Sequence, residues 1–196
     1  MPTDSLLTQL DLTPAQIDHL SAALRNRVLD FLLTWEGWQD ALDCLTVLDT
    51  PSYVLLQDAQ ARALEGQGRM AEAVTVMQQR LEQKDSASAR VRMARTYLAA
   101  GDTGQALTIA KALTESNPNG ATYWGLLGDV YLQQGNLDAA ATAFLQHQTL
   151  APSSRPAAVG LMRVHQQRGD PVTAAAYAVR AYTVNDGEQA LPIYLL

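Results

Sequence analysis

An all-α fold, built as a solenoid of stacked helix pairs, is what this sequence predicts, and three observations predict it. The first is a repeat. Four Gly–Ala pairs, each with the same short spacing, occur at Gly68/Ala73, Gly101/Ala106, Gly135/Ala140 and Gly169/Ala174, and the step from pair to pair is constant to within one position. Self-similarity at a period of roughly 34 residues marks arrays whose units bury their apolar faces only against their neighbours. The second is that other columns keep the step. Leu64, Tyr97, Tyr131 and His165 stand four positions before each glycine, Ala61, Ala94, Gly128 and Met162 seven before it. Met77, Ala110, Phe144 and Ala178 follow it by nine, and Asp85, Pro118, Pro152 and Asp186 by seventeen. The third is that strand signals are absent: no stretch alternates polar and apolar residues with β-branched enrichment.

Taken in order, residues 1–12 read as an N-terminal tail with neither the basic start nor the apolar run of a secretory signal. Thr13-Pro14-Ala15-Gln16 is a helix start, with a Thr cap, Pro at the first position and Gln three after the cap. Ile17, Leu20, Leu24, Val28, Phe31 and Trp35 then step by 3 or 4 along one amphipathic helix. Gly37 with Ala41 and Leu42 echoes the Gly–Ala spacing, so 13–52 is expected to hold this helix and a degenerate helix pair. Four repeats follow, at about 53–86, 87–120, 121–154 and 155–188. In the third, Trp124, Leu127, Gly128 and Tyr131 give helical spacing. Gly135 ends that helix through its tolerance of the left-handed conformation, and Asn136 caps the next. Gly101-Asp102 and Gly169-Asp170 repeat the grammar, the latter with Pro171 at the first helical position. Residues 189–196 (QALPIYLL) begin where another repeat would begin and are expected to form an apolar cap over the last helix pair.

Small residues recur where helices must cross closely, so Gly128, Ala94, Ala140 and Ala106 are expected at crossings. Trp124, Tyr131 and Phe144 then fill the wider gaps. Trp124, Leu127, Gly128, Tyr131, Gly135, Ala140, Phe144 and Pro152 together resemble the tetratricopeptide repeat. Ala94, Tyr97, Gly101, Ala106 and Pro118 carry the resemblance into 87–120. It thins in 155–188, where Met162 and His165 hold the small and aromatic columns, and again in 54–86. The resemblance implies a right-handed superhelix of antiparallel helix pairs with a concave groove that binds peptide or protein. It also implies which first-helix residues face that groove: Asp58 and Arg62, Arg92, Arg95 and Ala99, Gly125, Asp129 and Gln133, and Val159, Arg163 and Gln167.

Four arginines on one inner face of an acidic chain point to a locally positive groove, and the planar guanidinium suits carboxylates. The expectation is an acidic or C-terminal peptide along Arg62, Arg92, Arg95 and Arg163, with Asp129 taking a ligand donor and Gly125 leaving room for a ligand backbone. The competing expectation is that these arginines pair with Asp58 and Asp129 inside the groove. A chaperone-tail clamp is disfavoured, since Lys84 and Lys111 are the sole lysines and fall off these columns. The expected function is therefore a non-catalytic protein-interaction module that assembles or stabilises a complex. The alternatives are a homo-oligomeric scaffold joined through 193–196 or the Trp35/Trp38 end, and a chaperone for a secreted or membrane-inserting protein.

Charge and composition agree. With 14 Lys+Arg against 20 Asp+Glu the net charge is −6, which argues against nucleic acid, where binding rests on phosphate neutralisation. No stretch approaches the ~20 apolar residues of a membrane span. The single cysteine, Cys44, forms no internal disulfide, and a reducing, cytoplasmic setting is expected. Cys44 lies among Leu42 and Leu45 and reads as a packing thiol. His19, His147 and His165 lack the spacing of a zinc site, and His165, in the tyrosine column, is expected to be packed and hydrogen-bonded. Gly66-Gln67-Gly68-Arg69-Met70-Ala71 has the letters of a dinucleotide fingerprint, but a helix precedes it where that mechanism needs a strand. Catalytic residues, metal and cofactor are all expected to be absent.

Overall fold

A computed structural model of the chain describes Thr13 and residues 38–47 and 54–183. These residues form nine helices and no strand: α1 Trp38–Val47, α2 Val54–Gly66, α3 Met70–Gln83, α4 Ala87–Ala99, α5 Thr103–Ser116, α6 Ala121–Gln133, α7 Leu137–Leu150, α8 Arg155–Gln167 and α9 Pro171–Thr183. The all-α expectation is met. Apart from Thr13, the helix foreseen through Trp35 lies outside the described residues, as does the apolar segment 189–196. The chain divides into two compact units, residues 1–101 and 102–196, so the boundary falls at the glycine between α4 and α5.

The turns form for local reasons. Gly68, Gly101, Gly135 and Gly169 all take φ between 72° and 81°, the left-handed region that other residues enter only at a cost. After α6, Gly135 N–H donates to the Leu132 carbonyl (3.1 Å) and Asn136 N–H to the Tyr131 carbonyl (2.9 Å). These two bonds satisfy carbonyls that the helix end would leave unpaired. Gly169 and Asp170 repeat the pattern on Gln166 and His165 at 3.1 and 2.9 Å. Side chains cap the starts. Asp102 accepts from Gln105 N–H at 3.0 Å, Asn136 from Ala139 N–H at 3.3 Å, and Asp170 from Thr173 N–H at 3.1 Å. Each such cap is worth about 1 kcal/mol.

In the first unit α1 packs on α2, α2 on α3 and α3 on α4, and α2 also meets α4. The interior is made of small and flexible residues: Ala59, Ala61, Ala63, Leu64, Ala73, Met77, Ala89, Met93 and Ala94 are all buried. Trp38 lies over Gly66, where an added Cβ would come within 2.3 Å of the indole.

In the second unit α5 packs on α6, α6 on α7, α7 on α8 and α8 on α9, with α6 also meeting α8. Leu132, Ala140, Ala141, Phe144, Leu161 and Val164 form one cluster, with Tyr131, Leu137 and Tyr177 packed against it. Phe144 is its centre. A Cβ built on Gly128 would lie 2.6 Å from the Phe144 ring, and one on Gly160 would lie 2.4 Å from it. The ring therefore fills space that two glycines leave open, one on α6 and one on α8. Gly128 is as expected; Gly160 carries the same load unforeseen. The Trp124 indole N–H donates to the Pro118 carbonyl at 2.7 Å and ties the loop before α6 to that helix.

Candidate interaction face

The first unit gathers charge on α2, α3 and α4. Asp58, Arg62 and Glu65 stand at i, i+4 and i+7 and share one face of α2. Arg92 and Arg95 stand one turn apart on α4. Arg92 donates to Glu65 at 2.8 Å, and both side chains are 17% exposed, so the pair links the two helices with much of its water removed. Behind it, Arg80 of α3 donates to Asp58 at 2.6 Å, with Arg80 4% exposed and Asp58 28%. Burial pushes the Asp58 carboxyl above its ordinary value, while Arg80, Arg92 and Arg62 pull it back and Glu65 adds to the rise. Arg62 and Arg95 are exposed. Among these six groups, four guanidiniums meet two carboxylates.

Sequence reasoning placed Asp58, Arg62, Arg92 and Arg95 together, and it missed Glu65 and Arg80. Glu65 had a signal, since it completes the Asp58–Arg62 stripe. Arg80 had none, because its partner lies on another helix, well beyond the reach of helical spacing.

The second unit presents a nearly neutral counterpart. Arg163 lies 3.8 Å from Asp129, both about half exposed, and Gln133 and Gln167 are exposed on the same helices. The pairing of expected groove arginines with acids thus occurs in both units. Gly125 needs correction: it is buried, and a Cβ there would meet His147 Nδ1 at 2.6 Å, so the imidazole takes up the room expected for a ligand backbone. His147 is buried, its Nε2 lies 2.9 Å from Ser154 Oγ, and burial holds its pKa below the ordinary 6.5. Ser154 Oγ in turn accepts from Ala157 N–H at 3.4 Å and caps α8. His165 Nδ1 lies 3.2 Å from Asp170 and its ring stacks on Tyr177 at 5.5 Å, the packed role expected of it.

Among the described residues, no group of three or more His, Cys, Asp or Glu is placed to hold a metal ion. Cys44 is buried, and burial together with Asp40 and Asp43 pushes its thiol up to about 11, far from a reactive thiolate. A cleft of about 350 Å³ lies among α1, α2 and α3, lined by Leu64 and Val76 as well as by polar side chains. Within it Gln39 donates to Asp43 at 2.7 Å and Arg69 to Glu72 at 2.7 Å. No described helix is long and apolar enough to cross a membrane.

Comparison with known proteins agrees with this architecture. No curated protein matches the chain. Among solved structures, TTC0263, a thermophilic TPR protein of Thermus thermophilus, superposes with a TM-score of 0.69 at 18% identity over 83% of this chain and 90% of that one. MamA 41-end from Desulfovibrio magneticus RS-1 superposes with a TM-score of 0.59 at 19% identity, over 90% and 98%. At these identities the likeness is one of fold. Sequence profiles of the tetratricopeptide repeat match residues 91–155 and 156–180. Such repeats are a protein-interaction scaffold, typically without catalysis. With its turn glycines and helix pairs, this chain carries tetratricopeptide repeats over residues 91–180.

Proposed function

We propose that the chain is a non-catalytic interaction module that binds an acidic peptide segment or partner subunit on the α2–α4 face of its first unit. The observation that carries this reading is the charge arrangement there. Glu65 and Asp58 hold Arg92 and Arg80 in fixed geometry, and Arg62 and Arg95 stand exposed beside them. A guanidinium fixed by one carboxylate needs little reordering to meet another, which lowers the entropic cost of binding. The excess of cations on this face, in a chain of net charge −6, favours a carboxylate-bearing ligand over a basic one. The second unit contributes Asp129–Arg163 as a polar, charge-balanced surface rather than as an arginine site.

The test is fluorescence anisotropy with a labelled peptide rich in Asp and Glu, compared with a peptide of the same length rich in Lys. Tight binding of the acidic peptide alone, weakened about 5- to 30-fold by Arg95→Glu and by raised salt, supports the reading. Equal affinity for both peptides, or no change in Arg95→Glu, defeats it.

A further inference from the structure

The loop between α5 and α6 departs from its counterparts in the array. Ser86, Gly120 and Ser154 hold one column, each just before a first helix, α4, α6 and α8. Ser86 and Ser154 accept from the N–H three residues on, at 3.2 and 3.4 Å. Gly120 has no side chain with which to cap α6. Tyr123 is what requires glycine there, since a Cβ on Gly120 would come within 2.4 Å of its ring. With Asn119 before it, this glycine gives the chain its one Asn–Gly step.

Such a step carries its own chemistry. The Gly120 amide nitrogen lies within five-membered-ring reach of the Asn119 side-chain carbonyl carbon, and no Cβ on Gly120 hinders its approach. Asn119 is exposed, and its side-chain amide bonds to no described residue. The neighbouring Asn117–Pro118 step is inert in this sense, because the proline nitrogen has no hydrogen to lose.

In the folded chain the peptide groups on both sides of Asn119 are held. Gly120 N–H donates to the Asn117 carbonyl at 3.0 Å, closing a turn with Pro118 and Asn119 at its centre. On the other side, the Pro118 carbonyl accepts the Trp124 indole N–H at 2.7 Å. A nitrogen whose hydrogen is engaged in a closed turn must be released before it can swing onto the side chain. Reaction therefore proceeds from a locally opened loop.

We infer that Asn119–Gly120 is a self-modification site that the Trp124 indole keeps closed. When the loop opens, the Gly120 nitrogen gives its proton to water and attacks Asn119 Cγ. The new N–Cγ bond forms as the Cγ–Nδ2 bond breaks, and Nδ2 takes a proton from water and leaves as ammonia. Water then opens the cyclic imide at either carbonyl, giving aspartate or its isoaspartyl isomer, with no oxidation or reduction. Either product places a carboxylate at the start of α6, where the helix dipole favours it. The isoaspartyl form also adds a methylene to the backbone of the turn that Asn117 and Gly120 close.

The test follows the conversion of residue 119 by peptide mapping and mass spectrometry in the full chain at mildly alkaline pH. Wild type is compared with Trp124→Phe, with Phe144→Leu, which loosens the core away from this loop, and with a synthetic peptide of residues 115–123. The peptide should react fastest, Trp124→Phe next, and wild type and Phe144→Leu slowest. Trp124→Phe should exceed wild type by about 3- to 10-fold, the opening controlled by one net hydrogen bond. Circular dichroism shows whether each variant is folded. If Trp124→Phe is not, wild type in urea below its unfolding midpoint replaces it, and its rate should already rise. Wild type as fast as the peptide overturns the inference, since the loop would then hold nothing closed. A rate unmoved by Trp124→Phe, or by urea in its place, also overturns it, as does equal acceleration by Phe144→Leu.

Discussion

The first unit joins its helices by charge across an interior of alanine and methionine; the second joins them by one phenylalanine held between two glycines. Both run on the same helix-pair repeat and the same turn glycines. The comparison teaches that the repeat sets where helices cross and leaves open how each crossing is filled. In the first unit, where Ala59, Ala63 and Ala89 are buried, Glu65–Arg92 and Asp58–Arg80 close at 2.8 and 2.6 Å. In the second unit, where the Phe144 ring lies against Gly128 and Gly160, the surface pair Arg163–Asp129 is 3.8 Å apart and half exposed, a geometry that contributes little. Close charge pairing thus concentrates in the first unit, and packing around a single large ring in the second.

The largest effect expected from this contrast is in the second unit. Phe144→Ala should cost about 3–5 kcal/mol, towards the upper end, because Gly128 and Gly160 have no side chains with which to fill the cavity. Chemical denaturation followed by hydrogen exchange should show the loss in α6–α8. If those helices keep their protection, Phe144 is not the centre of that core.

A smaller effect is expected in the first unit. Arg80→Ala leaves Asp58 half-buried without its close partner, and should cost about 2–3 kcal/mol. That is less than a fully buried pair, since Asp58 keeps 28% exposure. Replacing both, Asp58→Met with Arg80→Met, should recover most of it, because two packed apolar side chains carry no desolvation cost. A double variant as unstable as the single one would show that the pair contributes more than its charges.

The smallest effect is on pH. Burial holds His147 below its ordinary pKa of 6.5, so the unfolded chain takes up the proton first. Between the two values the unfolded state binds more protons, hence stability rises with pH there and is lost as pH falls below about 6.5. The unfolding midpoint of wild type should fall from pH 7 to pH 5, and His147→Gln should flatten that part of the profile. An identical slope in the variant would assign the pH dependence to other groups.

Much of this was legible before any coordinates. Gly135 with Asn136, and Gly169 with Asp170, announce a helix end and the next cap within two adjacent residues. Gly128, Ala94, Ala106 and Ala140 were expected at crossings from their recurrence, and all four are buried. The face of α2 was readable in part, because Asp58 and Arg62 are one turn apart; the same spacing would have added Glu65. Gly125 was misread because its neighbour His147 stands on the following helix, α7, where no spacing rule reaches.

Helices, turns, caps and the period depend on interactions among residues a few positions apart, so the order of residues was enough to write them down. Stacking alone decided which side chains meet across helices: Arg80 with Asp58, Arg92 with Glu65, His147 against Gly125, Phe144 between Gly128 and Gly160. Each of these contacts joins residues on different helices, and the distance between them is set by the bulk of the side chains packed at each crossing.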